Sequence, residues 1–315
     1  MAAPLNDGLG VGSGENIRAA IGFAAGAGDA ATALQLCTSW RYWVTRGNLT
    51  EGRALVDMAL ASGDGPPELR WRAVNAAGVL ASEQGDFEEA RAMFETSLEL
   101  AQRLESPARI ARISGNLAIV ALYEGDFEEA IRRHAQALEY WREAGDVGMH
   151  SLATQNLGIA YSGAGQHERA IELLGESVVL ARQAGDPAHL SSTMRSLSRA
   201  LLVGRSADSA ALKLIQESLA LARELEDRPG MVECLETLAA IAVRQGDPHA
   251  GALLIGAAAA ARAAAGAARQ PEEDAWMQEV EGQLAEDLGA AAYAVVVAEG
   301  GRLDLGEAVV RAVAV

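Results

Sequence analysis

Three kinds of residue in this chain could carry chemistry by their type and spacing. Adjacent carboxylates stand at Glu88-Glu89 and again at Glu128-Glu129. Two acids held close are pushed apart in pKa and can divide the roles of proton donor and acceptor. Glycines alternate at 8, 10, 12 and 14, a pattern that in the right setting folds backbone amides around a phosphate. Histidines stand at 134, 150, 167, 189 and 249, and imidazole is both a metal ligand and a proton carrier near neutral pH.

The surrounding sequence favours a plainer reading of each. Both carboxylate pairs directly follow Gly-Asp-Phe, where acids in the first turn of a helix offset the positive end of its dipole. No strand pattern precedes the alternating glycines and no Gly-Lys-Ser/Thr follows them, so a phosphate loop is not expected. No two histidines have the spacing that puts metal ligands on one helix face. His134 falls at a packing position, where a half-buried structural role is expected, and His167 and His249 fall in turns expected to be exposed. No nucleophile, base and orienting group can be assembled, so no catalytic residue, metal site or cofactor is expected.

The elements that would position any site are set by a repeat. The stretch Gly125-Asp126-Phe127-Glu128-Glu129-Ala130 recurs forty residues earlier as Gly85-Asp86-Phe87-Glu88-Glu89-Ala90. Forty residues later it recurs less completely, as Gly165-Gln166-His167-Glu168-Arg169-Ala170. Glycine can take the left-handed conformation that ends a helix, and the following Asp can cap the next one. Glu89 and Glu129 then sit where a capping-box carboxylate reaches back to the cap residue's amide. Small residues at Ala90, Ala130 and Ala170, and twelve positions earlier at Gly78, Ala118 and Gly158, mark close helix crossings. Phe94, His134 and Leu174, followed by Ser97, Ala137 and Ser177, alternate large with small so that neighbouring hairpins interdigitate. A period of this length built from helix pairs predicts an all-α fold, an α-solenoid.

Residues 1–14 read as a flexible lead-in and 15–66 as a divergent helical unit. Within it one helix carries Leu34, Cys37, Trp40 and Trp43, and Asn48 caps another with Glu51 as its box partner. Clear repeats occupy 67–268, including looser units aligned on Ala211 and on Gly251, the last helix running to about Ala268. Residues 269–315 depart from the repeat and read as a helical cap over its last hydrophobic face. The Val295–Val297 run could be a strand by itself, but its helical surroundings favour a helix.

Composition narrows the partners. A formal net charge of −17 repels phosphate backbones, so direct nucleic-acid binding is not expected. Cys37 and Cys234 lie far apart and outside any CxxC spacing, which fits a reduced, cytoplasmic setting with both as small core residues. The N-terminus lacks the basic start and apolar core of a signal peptide, and the Ala-rich 250–268 stretch is too weakly apolar for a membrane span.

The marked residues resemble the tetratricopeptide repeat. Leu157-Gly158 with Tyr161 and Ala170, and Gly78 with Ala90 and Phe94, follow its two-helix signature. The forty-residue period is longer than the roughly 34 of the standard repeat, and Pro107 and Pro187 close the units correspondingly late. The array resembles the long-helix version found in bacterial signalling proteins. Its flanks are similar to those of LuxR-type and SARP-type regulators and related ATPases of the MalT-like kind. Asn16-Ile17-Arg18-Ala19-Ala20, Trp40-Arg41-Tyr42-Trp43 and Gly47 to Arg53 carry that likeness at one end. Leu288-Gly289, Tyr293, Glu299-Gly300, Leu303 and Glu307-Ala308-Val309 carry it at the other. No GxxxxGK[ST] occurs, so the resemblance implies a sensor region without ATPase or DNA-binding parts.

In such a right-handed solenoid the first helix of each hairpin lines the concave groove. The register places Arg72, Asn75, Arg112, Asn116, Gln155, Asn156, Arg195 and Arg199 there. Asn116 and Asn156 share one position in successive units, where their amides could hold an extended peptide backbone, and Arg112, Arg195 and Arg199 could receive a carboxylate. The plainer reading is a solvated polar face. The expected activity is binding: a protein, peptide or small effector in the groove of a signalling or transcriptional regulator, or alternatively a free-standing scaffold. Self-association is left open.

Overall fold

The computed structural model describes residues 13–38, 42–44, 48–204, 206–265, 269 and 271–312. Five hairpins follow one another: α4 (Pro67–Glu83) with α5 (Phe87–Arg103), α6 (Pro107–Tyr123) with α7 (Phe127–Glu143), and α8 (Val147–Gly163) with α9 (His167–Ala184). Then come α10 (Pro187–Val203) with α11 (Asp208–Glu224), and α12 (Arg228–Gln245) with α13 (Pro248–Ala265). Before them lie α1 (Ser13–Gly26), α2 (Ala30–Cys37) and α3 (Leu49–Ala61); after them α14 (Pro271–Leu288), α15 (Ala290–Gly300) and α16 (Leu305–Ala312). Each helix packs on its hairpin partner and on the next hairpin, and the stack winds into a right-handed α-solenoid.

The turns form as their residues dictate. Gly85 and Gly125 take φ of 78° and 81°, and the amide after each donates to the carbonyl five residues back, Asp86 to Ala81 and Asp126 to Ala121. That closes one helix while the same Asp caps the next, accepting from the Glu89 and Glu129 amides. The expected reciprocal half of the box therefore cannot form, because the Asp amides are already used. The Glu129 carboxylate instead accepts from Arg132 and Arg133, which hold its pKa down to about 2 and make it a fixed anion, not a proton carrier. A reciprocal box does form at Asp304 and Glu307. Between hairpins, Glu105 and Glu226 occupy the left-handed region that Gly145 and Gly185 fill in the intervening turns.

The first unit departs from the reading of its sequence. The helix carrying Leu34 ends at Cys37, where Thr38 Oγ1 turns back to the Gln35 carbonyl; Trp40 and Gly47 lie outside the described residues. Trp43 is nevertheless in the core, edge-on to Tyr42, with Ile21, Leu34 and Leu49. Asn48 makes no side-chain cap bond, and Glu51 pairs with Arg18. Of the proposed lead-in, residues 1–12 are outside the described set, and Ser13 and Gly14 are already helical. Residues 266–268 are also outside it, the last repeat helix being described to Ala265.

The small-large alternation appears as direct packing. A methyl group added to Gly78 would meet the Phe94 ring at 2.6 Å, and one added to Gly158 would meet Leu174 at 2.8 Å. Ser151 and Ser177 donate to each other's backbone carbonyls across the α8–α9 crossing, and Ser191 and Ser218 repeat the exchange one hairpin later. At the corresponding places in the first hairpin stand Trp71 and Ser97, whose polar atoms are buried without hydrogen-bond partners among the described residues. Trp141 packs between hairpins against Ala111 and Ala153. The Val295–Val297 run is helical. Met277, Val280 and Leu284 of α14 join α12 and α13 in one hydrophobic cluster with Val309 of α16.

Candidate ligand-binding groove

The concave side is built by α4, α6, α8, α10 and α12, and polar side chains link α4 to α6, α8 to α10 and α10 to α12. The Asn116 amide donates to Asn75 Oδ1 at 2.8 Å, joining α6 to α4. Gln155 donates to Ser192 and Ser196 at 3.0 and 3.1 Å and accepts from Thr193, joining α8 to α10. Arg195 donates to Glu233 at 2.9 Å, with Asp227 at 3.6 Å, joining α10 to α12. Such rungs satisfy buried polar atoms and fix the pitch of the superhelix.

The eight groove residues thus divide by environment. Asn75 and Gln155 are buried, 8% and 3% exposed, with their amides engaged by neighbouring helices. Arg112 is exposed and turned toward the Met149 sulfur. Arg199 pairs with Glu273 of α14. Arg72 is exposed, and Asn156 is half-buried with no hydrogen bond among the described residues. Of the three arginines expected to receive a ligand carboxylate, Arg112, Arg195 and Arg199, the last two already hold carboxylates of the chain itself.

Acidic residues not singled out from the sequence complete the lumen. Glu236, 3% exposed, accepts from Arg262 at 2.8 and 2.9 Å and from Arg269 at 3.0 Å. Burial alone would raise the Glu233 carboxyl, but Arg195, with Arg262 and Arg199 beyond it, holds it below its usual range. Glu83, at the end of α4, has no ion-pair partner among the described residues. Burial, followed by the charges of Glu233, Glu273 and Asp227, pushes it up to about 7.

Register would have found several of these. Glu236 occupies in α12 the position of Asn75, Gln155 and Arg195, and Glu233 that of Arg72 and Arg112. Glu83 shares its position with Tyr123, Gly163 and Val203 at the ends of the next three first helices. Those three line a cleft of about 400 Å³, which Phe127, Ile159, Arg199 and, from α14, Trp276 complete.

Two of the histidines differ from expectation, while His249 is exposed as expected. His134 is fully buried, 1% exposed, with neither ring nitrogen bonded, because it fills the slot that Phe94 and Leu174 fill in neighbouring hairpins. His167 begins α9 and is half-buried, close to Gly204 in the turn of the next hairpin. Among the described residues, no group of three or more His, Cys, Asp or Glu is placed to hold a metal ion, and no helix is long and apolar enough to cross a membrane.

The family model of the tetratricopeptide repeat matches residues 72–143, and that of anaphase-promoting complex subunit 5 matches 116–203 and 194–245. No curated protein matches the sequence. Among solved structures, the chain is similar to a Rap protein complexed with competence and sporulation factor: 14% identity, TM-score 0.61, covering 91% of this chain and 89% of that one. It is similar to aspartyl phosphate phosphatase F from Bacillus subtilis: 11% identity, TM-score 0.60, covering 88% and 72%. It is also similar to the Rap conjugation gene regulator of plasmid pLS20 in complex with the Phr* peptide: 13% identity, TM-score 0.56, covering 83% and 77%. At these identities the likeness concerns the fold. Residues 72–143 match the tetratricopeptide-repeat model and lie within a longer helical solenoid whose fold is similar to that of the Rap structures.

Proposed function

We propose that the concave groove binds a peptide segment and that the chain is the ligand-sensing region of a bacterial signalling or transcriptional regulator of the LuxR or SARP type. The carrying observation is the groove's mixture of committed and open polar groups. The rungs made by Asn75, Gln155 and Arg195 hold the walls, while Asn156 and Arg72 keep donors for a guest. An amide at Asn156 can both donate to and accept from a peptide backbone. The two similar structures solved with a peptide or signalling factor bound support the reading. In this proposal residues 15–66 open the array, 67–268 form the groove and 269–315 cap it, and occupancy shifts a neighbouring switch domain by its differential affinity for two states.

The test is a peptide library screened on the immobilised protein. Selected peptides should lose at least tenfold in affinity when Asn156→Ala and Arg72→Ala are combined, with the helical melt unchanged. Asn116 is the poorer choice for substitution, since its loss strips the buried Asn75 of its partner. Undiminished binding by the double variant would place the site elsewhere.

A further inference from the structure

The first turns of α14 do not stack as a sixth hairpin would. A regular next helix would lie alongside α12, its start level with the starts of the other first helices. The start of α14 instead meets their far ends. Ala275 and Trp276 share the cleft with Leu122 and Tyr123 at the end of α6, with Ser162 and Gly163 at the end of α8, and with Val203 at the end of α10. Glu273 pairs there with Arg199. The beginning of α14 therefore crosses the lumen, while its second half, through Met277, Val280 and Leu284, is anchored in the core.

Glu273 and Trp276 are three residues apart and so share a face of the helix. One presents a carboxylate to an arginine, the other an indole to a largely apolar cleft of a size that takes one side chain or a small ligand. We infer that this cleft is a recognition site for a peptide carrying a carboxylate and an aromatic side chain three positions apart on a helical turn, and that Glu273 and Trp276, which in the free chain hold Arg199 and one wall of the cleft, are displaced by such a peptide. The inference rests on the groove-binding reading above and adds to it the ligand chemistry and the regulation.

Two features suit the segment to displacement. Its seat is electrically mixed: Arg199, with Arg262 farther off, attracts Glu273, but Glu83 stands close enough to oppose it. Its advantage is also largely that of tethering, which supplies an effective concentration on the order of millimolar without new contacts. A free peptide of the same chemistry, helical only in part, competes poorly with the resident segment and well with a chain from which that segment's anchors have been removed.

The probe is a fluorescein-labelled peptide of residues 269–280, titrated by anisotropy against the full chain and a full-length Glu273→Gln/Trp276→Ala variant. The variant should bind at least tenfold more tightly than the unaltered chain, and adding Arg199→Ala should abolish the gain. Equal affinities, or binding indifferent to Arg199→Ala, would overturn the inference. A companion measurement needs no variant to fold. With the peptide at saturation, amide exchange of the unaltered chain should accelerate at 273–276 and stay constant at 280–288; unchanged exchange at 273–276 would also overturn it. If peptides from the library screen bind both proteins alike, the groove stands and the displaced-segment idea fails. If they bind neither, the groove reading itself fails.

Discussion

His134 gives the sharpest test of the packing argument. Its ring occupies the interior of the α6–α7 hairpin with both nitrogens unbonded, and each unsatisfied buried polar group costs about 1–3 kcal/mol. Leucine, close in volume and already used at the same place in the next hairpin as Leu174, removes both. Part of the gain is offset by crowding, since Ala118 stands where Gly78 and Gly158 make room elsewhere, so we expect His134→Leu to stabilise by about 2 kcal/mol at pH 7. Acid provides a second readout. Burial holds the His134 pKa down to about 3, against 6.5 in the unfolded chain. A depressed folded pKa means the unfolded state binds the proton first, so stability falls as pH drops below 6.5 and continues to fall toward 3. Between pH 7 and 5 this amounts to about 2 kcal/mol, and every other titrating group is shared with the variant. With an unfolding entropy near 0.7 kcal/mol/K for a chain of this length, circular-dichroism melts should show the parent losing about 3 °C more than His134→Leu over that interval. Equal losses, or a variant less stable at pH 7 together with an Ala118→Gly/His134→Phe double variant that is no better, would refute the reasoning.

Other expectations follow from contacts of the same clarity. An added methyl at Gly256 would lie 2.1 Å from the Val297 carbonyl oxygen, and one at Gly300 2.0 Å from that of Leu253. Backbone atoms cannot swing aside, so either Gly→Ala should separate α13 from α15 at a cost of about 3 kcal/mol or more, read as a lower urea midpoint and earlier proteolysis in the C-terminal region. An unchanged midpoint would contradict the close approach. Ser97→Ala removes a buried hydroxyl without a partner, at a position the next hairpin fills with Ala137, and should stabilise by about 1 kcal/mol in urea titrations. Glu236→Gln keeps the shape of the side chain but leaves Arg262 and Arg269 facing an uncharged group in a largely buried site. A loss of about 3 kcal/mol is expected, and less than 0.5 kcal/mol would mean the network contributes little.

How much of this was legible in the sequence depends on how far apart the deciding residues are. Turn chemistry is local, so Gly125-Asp126 announced both the end of α6 and the start of α7. What it did not announce was that one amide cannot serve two acceptors: Asp126 gives its N–H to Ala121 and leaves Glu129 to its arginines. The hairpin interior was legible too, because Gly78 with Phe94 and Gly158 with Leu174 repeat at the period. His134 was placed correctly within it but read as only half-buried, since the sequence gives no sign that an imidazole is sealed without partners. The Leu34–Trp43 stripe failed for a related reason. Periodicity continues past Cys37, whereas the helix stops where Thr38 turns back on Gln35.

The groove required the longest reach. The register led to Asn75, Gln155 and Arg195, and one more step of the same register leads to Glu236. Following it that far would have put a buried acid in the line, although each member bonds beside the next and not to it: Asn75 to Asn116, Gln155 to Ser192 and Ser196, Arg195 to Glu233. The meeting of Glu273 with Arg199 has no such periodic sign, for the partners are 74 residues apart and belong to segments of different pattern. Only the path of α14 across the ends of α6, α8 and α10 brings them together. A repeat sequence encodes its walls many times over, through the same contact at each unit, but what lies in its lumen is encoded once. That is why the walls of this solenoid could be read from spacing and the occupant of its groove could not.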